Sequence, residues 1–276
     1  MVEDFSTRGI VSKQMLQCLW KDMKLSGEEE VMLICLLQKF DLCFEMPQCE
    51  DADPYTIQSV PPVYRFPWLL TAIATCMPRE IQPDDVVLMV VFQLQNYCPV
   101  GLFETLSVKL NKFIKYRKDW QYGIQAVSVV GKNKFELLVQ LEPKERSEEI
   151  LISVQTQNKK LKEAWGIMVL IINATKELLQ QWPGVLYCVR VVCPHCLKLG
   201  VDKPHRFSGA VLDKTPGGIV VCPKTWDEID PRLIHPHTTP AQWQQRRKRA
   251  LEECGKSPAP EEIMMEKQPR YSAKTW

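Results

Sequence analysis

The stretch VVLMVVFQLQNYCPVGLFETLSVKL, Val86–Leu110, decides how the rest of the chain is read. Its opening run, Val86–Phe92, is continuously apolar, as in a strand buried on both faces. Beyond the break at Pro99 and Gly101 the period changes. Leu102, Phe103, Leu106 and Leu110, continued by Phe113 and Ile114, recur at helical spacing and predict an amphipathic helix of about four turns. Downstream, alternation predicts three strands, Ile124–Val130, Phe135–Leu141 and Ile150–Gln155. The long segment Lys160–Trp182 places Leu161, Trp165, Met168, Ile172 and Leu179 on one helical face and is stopped by Pro183-Gly184. Val185–Val191 supplies a last strand. The order βαβββαβ over residues 86–192 predicts an α+β fold, an antiparallel sheet carrying two helices.

Toward the N-terminus the pattern is helical. Ser12 can cap a helix carrying Met15, Leu16, Leu19 and Trp20, and Ser26-Gly27 followed by Glu28, Glu29 and Glu30 opens a second one. The second helix is expected to bury Val31, Ile34, Cys35 and Leu37, with Phe40 at its end. Asp41–Met46 then alternates like a half-buried strand. Residues 1–60 thus predict a small winged-helix-like module, with an acidic wing at Pro47–Pro54 and a hairpin through Tyr55–Val60. Residues 61–85 carry Pro61, Pro62, Pro67, Pro78 and Pro83 and read as a linker with a short helix near Leu69–Cys76.

Composition bounds the function. The 276 residues are 45% hydrophobic and 25% charged, the mixture of an ordinary folded protein, and the formal net charge is +2. No global field draws the chain to nucleic acid or anionic lipid. The distribution is uneven: residues 1–60 carry 5 basic and 11 acidic side chains, and residues 241–276 carry 8 basic and 5 acidic. The acidic start opposes a phosphate backbone and suits protein contact. Eleven cysteines, many in apolar segments such as Cys18, Cys35, Cys43, Cys76, Cys98 and Cys188, suit buried free thiols in a reducing compartment, so a cytoplasmic location is expected. The N-terminus has no secretory pattern. No apolar run approaches the roughly 20 residues of a membrane helix, so no membrane partner is expected.

All four histidines, His195, His205, His235 and His237, fall in residues 193–240 with Cys193, Cys196 and Cys222. Cys193-Pro194-His195-Cys196 lets two thiolates turn back on one ion, and Cys222-Pro223 offers a second knuckle, the arrangement a tetrahedral zinc prefers. No second CxxC supplies the fourth ligand. His205, between the two knuckles, is the histidine that reaches back without a long loop. The expected metal ligands are therefore Cys193, Cys196, Cys222 and His205, in a Cys/His-rich, zinc-ribbon-like extension. The bland alternative is a hairpin with free thiols. Residues 241–276 read as a basic helix containing QQRRKR at 244–249, then a disordered tail. The string Ala250–Ser257 approaches a phosphate loop but follows no strand and is not read as one. No GxSxG, HExxH or GxGxxG occurs and no histidine precedes residue 195, so no enzyme activity is expected.

Three stretches carry a family resemblance. LLQKFDLCFEMP (Leu36–Pro47), VVFQLQNYCPVGLFETLSVKL (Val90–Leu110) and DWQYGIQAV (Asp119–Val127) are similar to segments of the COR domain, the C-terminal-of-Roc module of Roco proteins. The resemblance covers about residues 8–190. It implies a winged-helix-like first half of COR over 1–60 and a second half over 86–192. It also implies a homodimerising, non-catalytic interaction module coupled in the family to a Ras-like GTPase, Roc, in intracellular signalling. These residues include no Roc domain, so a GTPase partner is expected from a longer chain or another protein. The alternative expectation is a zinc-ribbon adaptor whose basic helix binds nucleic acid. Self-association is expected through residues 86–192, on the ground that Phe103, Trp165 and Trp182 exceed what one small layer must bury.

Overall fold

The computed structural model describes residues 9–46, 61–71, 82, 84–113, 117–131, 135–145, 147–214 and 219–239, with a few positions between 241 and 248. The acidic wing, the hairpin at Tyr55–Val60, residues 72–81 of the proline-rich linker with most of its expected short helix, and the tail lie outside the described residues, as do Arg246, Arg247 and Arg249 of the basic cluster. The start of that linker is not loose chain but supplies a strand, Val63–Arg65.

The N-terminal part runs β1 (Ile10–Ser12), α1 (Lys13–Leu19), α2 (Gly27–Lys39), β2 (Phe44–Glu45) and β3 (Val63–Arg65), with a three-stranded sheet in the order β1-β3-β2. Its helix ends are written in the sequence. The Ser12 hydroxyl accepts from the Met15 N–H and starts α1. Ser26 and Glu29 form a reciprocal capping box that starts α2. Asp41, at φ 55°, ends α2 in a Schellman turn: its N–H donates to the Gln38 carbonyl and the Leu42 N–H to the Leu37 carbonyl.

What this module buries is less than its periodicity predicts. Its core is Val11, Leu16, Ile34 and Tyr64, with Met15, Trp20 and Phe66 against it. Val31 and Cys35, expected inside, are exposed, and Phe40 is 67% exposed. Among the described residues only the Ile34 side of α2 joins the module's core. Cys18 is likewise exposed, against the expectation of a buried thiol. The expected strand Asp41–Met46 shrinks to two residues because the left-handed Asp41 and the turn after it consume the rest.

The main sheet has seven strands: β4 (Asp85–Leu94), β5 (Arg117–Tyr122), β6 (Ala126–Gly131), β7 (Glu136–Pro143), β8 (Glu148–Gln157), β9 (Tyr187–Val192) and β10 (Arg206–Ser208). Their order is β10-β9-β4-β8-β7-β6-β5, antiparallel throughout. Helix α3 (Leu102–Phe113) follows β4, and α4 (Leu161–Leu179) follows β8. The predicted βαβββαβ order therefore gains one strand within residues 86–192, β5, and the sheet a second from beyond them, β10. Arg117–Tyr122 is polar enough to hide from a hydrophobic pattern and pairs at the edge with β6.

One face of β4 and β8 presents Leu88, Val90, Phe92, Leu94, Ile150, Ile152 and Val154, all essentially inaccessible, to the helices. Fourteen of the nineteen residues of α4 are buried, so this helix is covered on both sides and its apolar face is far wider than the single stripe predicted. Phe103 and Trp165 are within this core, and Trp182 packs against it half-buried, so two of the three side chains expected at a partner surface are spent inside the domain. Gly101, at φ 88°, lets the turn before α3 close on Trp68: a Cβ there would lie 2.1 Å from the indole. Asp41 and Lys109, 2.9 Å apart, and Arg65, stacked 4.4 Å over the Tyr122 ring, complete the junction between the first module and the sheet.

A buried tri-cysteine cluster at the sheet edge

Leaving β9, the chain turns at once into the short helix α5 (Pro194–Lys198), then β10, and later a two-stranded ribbon of β11 (Val220–Val221) and β12 (Glu228–Ile229). Cys193 caps α5, with the Cys196 N–H facing its sulfur at 3.5 Å. The helix ends in a second Schellman turn: Gly200, at φ 64°, donates to Leu197, and Val201 to Cys196. In the ribbon, Cys222 donates to the Asp227 carbonyl while its own carbonyl accepts from Trp226, a residue held at φ 60°. Two tight turns thus aim three thiols at one point.

The Cys193, Cys196 and Cys222 sulfurs lie within 4.8 Å of one another, all three side chains are fully buried, and Cys196 and Cys222 are 3.4 Å apart. They belong to the same apolar core as the sheet and its helices, which continues through Leu212, Ile229 and Ile234. The cluster is electrostatically uneven. Burial pushes the Cys193 thiol up to about 12. Burial also opposes ionisation of Cys222, but hydrogen bonds from Thr225 and Lys224, with the Cys196 thiol, outweigh it and bring that thiol down to about 6. Three soft sulfur donors on tight turns match the donor chemistry of zinc.

His205 is not among the clustered groups. Its ring stands edge-on to Phe207, with centroids 4.5 Å apart. Its main chain does reach the cluster, since the Cys193 N–H donates to the His205 carbonyl at 2.8 Å. His195 Nε2 meets Asp227 Oδ2 at 2.9 Å, bridging the two knuckles from outside. His235 is buried with Nδ1 on the Val211 carbonyl, and His237 is exposed. Sequence reasoning missed Thr225 and Asp227, whose side chains act only once the ribbon is folded. It also missed Arg206, whose guanidinium makes two hydrogen bonds, at 2.6 and 3.0 Å, to Glu149 of β8, a carboxylate side chain only 4% exposed. Among the described residues no helix is long and apolar enough to cross a membrane.

Residues 86–217, which hold the sheet, its two helices and the first cysteine knuckle, match the model of the C-terminal of Roc, COR-B domain, so a COR-B domain occupies this part of the chain. Over 249 residues, 86% of this chain, it is 26% identical to malignant fibrous histiocytoma-amplified sequence 1 of Homo sapiens, covering 23% of that protein. The homologs of Xenopus tropicalis and Mus musculus are each 25% identical, over 86% of this chain and over 25% and 23% of their own length. The chain spans about a quarter of the length of the curated relatives it matches.

Proposed function

We propose that this chain is a non-catalytic interaction and homodimerisation module of the Roco type, working in intracellular signalling in the cytoplasm beside a Ras-like GTPase domain from a longer chain or a partner. We further propose that its Cys/His-rich extension is a zinc-ribbon-like element that holds a structural zinc. The observation that carries the interaction reading is the apolar face of α1 and α2. Leu19, Met23, Val31, Met32, Leu36 and Phe40 are each at least 41% exposed, on a module with an acidic balance. Large apolar side chains grouped at a surface mark a contact site. The division into a winged-helix-like first half, a linker, a sheet-bearing second half and the extension belongs to the same proposal. The acidic first module speaks against the nucleic-acid alternative.

Sedimentation equilibrium tests the dimer. A dimer is expected at tens of micromolar, where an assembly of about micromolar affinity persists, and Val31→Asp with Phe40→Asp is expected to return it to monomer. A wild-type monomer at that concentration would refute dimerisation. A dimer unaffected by the two substitutions would move the contact elsewhere.

A further inference from the structure

We propose that the tri-cysteine cluster is closed by His205 as fourth zinc ligand, and that closing it locks strand β10 onto the sheet. The inference rests on the reading of the extension as a zinc site and goes beyond it in naming the ligand and the mechanical consequence.

Three buried sulfurs gathered within 4.8 Å make a soft donor set of the kind zinc takes, one ligand short of a tetrahedron. On binding, each loses its proton to solvent, and three thiolates with one neutral imidazole complete a tetrahedron. The four histidines divide by what already occupies them. His195 is turned outward onto Asp227, His235 is spent on the Val211 carbonyl inside the core, and His237 is exposed beyond Pro236. His205 has its carbonyl on Cys193 and the second knuckle's Lys224 beside it. Its ring lies against Phe207, and the pairing of Arg206 with Val192 sets His205 opposite Cys193, so the two side chains leave on the same face of the sheet.

The consequence follows from strand alternation. His205 and Arg206 are consecutive, so their side chains leave on opposite faces. His205 faces the knuckles, whereas Arg206 reaches across the sheet to the buried carboxylate of Glu149. Fixing His205 on a metal therefore also fixes the strand that carries Arg206, and β10, only three residues long, gains an anchor on each face.

Cobalt(II), titrated into the metal-free, reduced full chain and then displaced by zinc, tests this. One equivalent should bind with tetrahedral visible bands and the thiolate-to-metal absorption of three sulfurs. His205→Ala should alter the visible bands and weaken binding at least about tenfold, a loss no smaller than that of an outer-shell partner. His195→Ala should change neither. Zinc loading should slow amide exchange at 206–208 in the wild type and not in His205→Ala. A His205→Ala spectrum and affinity identical to wild type would overturn the ligand assignment while leaving the zinc reading intact. Unchanged exchange at β10 on loading would overturn the lock. Failure to bind cobalt or zinc at all would overturn both readings.

Discussion

Truncating Trp165 to Phe probes the joint between α4 and the end of the extension. The indole is 1% exposed, and its Nε1–H donates to the Arg232 carbonyl at 2.8 Å, tying the turn Pro231–Leu233 to the N-terminal turns of a core helix. Phenylalanine keeps one ring and loses the donor. The lost hydrogen bond costs about 1 kcal/mol, because the carbonyl of exposed Arg232 can recover water. The vacated ring volume, of order 40 Å³, costs about 1 kcal/mol more at roughly 24 cal/mol per Å³. The sum, about 2 kcal/mol, should appear as a lower urea midpoint with an unchanged slope. The joint is local, so amide exchange should accelerate most at 229–235 and least in β7 and β8. A loss below about 0.5 kcal/mol, or exchange that rises equally everywhere, would refute the idea that this bond holds the extension's end down.

Gly101→Ala should cost about 2–4 kcal/mol, from a left-handed backbone and the collision with Trp68. In differential scanning calorimetry the first module should then loosen ahead of the sheet, and a single unshifted transition would contradict this. Arg206→Met strands the Glu149 carboxylate and should destabilise by about 2 kcal/mol, reduced from the full cost of a broken buried pair because the arginine is about a third exposed. Glu149→Gln in the same background should recover part of that loss in urea melts, and no recovery would argue against a charge effect. The Glu29 carboxyl is held below its ordinary 4.5 by the Ser26 N–H and hydroxyl, so its contribution to α2 is present above that value and fades as pH falls beneath it. Amide exchange in the first turn of α2 should rise below about pH 4.5; Ser26→Ala, which keeps the backbone N–H and loses the hydroxyl, should weaken that dependence, and Glu29→Gln should abolish it.

How far the fold could be read from the sequence follows the physics of each signal. Val86–Phe92, the helix after Gly101 and the segment stopped by Pro183-Gly184 were legible because core strands and capped helices obey local rules. Strand β5 was not: Arg117–Tyr122 pairs by backbone and has no apolar alternation to show. The burial of α2 failed because a helical stripe reports what could be buried, not whether a neighbour exists to bury it. At the candidate site, CxxC and the distant Cys222 were legible from spacing. The His195–Asp227 bridge and the Arg206–Glu149 pair depend on residues brought together across 32 and 57 positions, which spacing alone cannot convey.

The strand order of the main sheet also sets when this domain can come into being. Strand β4 is among the earliest of the sheet to be made, yet its neighbours are β8, ending at Gln157, and β9, ending at Val192. A chain emerging from the ribosome therefore carries its most apolar strand with both backbone edges unpaired until β8 is complete at Gln157, and with one edge unpaired until β9 is complete at Val192. During that interval Val86–Leu94 is a sticky ribbon with open hydrogen-bonding groups. A product stopped at Leu179, after α4 but before β9, would keep one of those edges bare. Such a truncation should reach the insoluble fraction even though every helix of the domain is present.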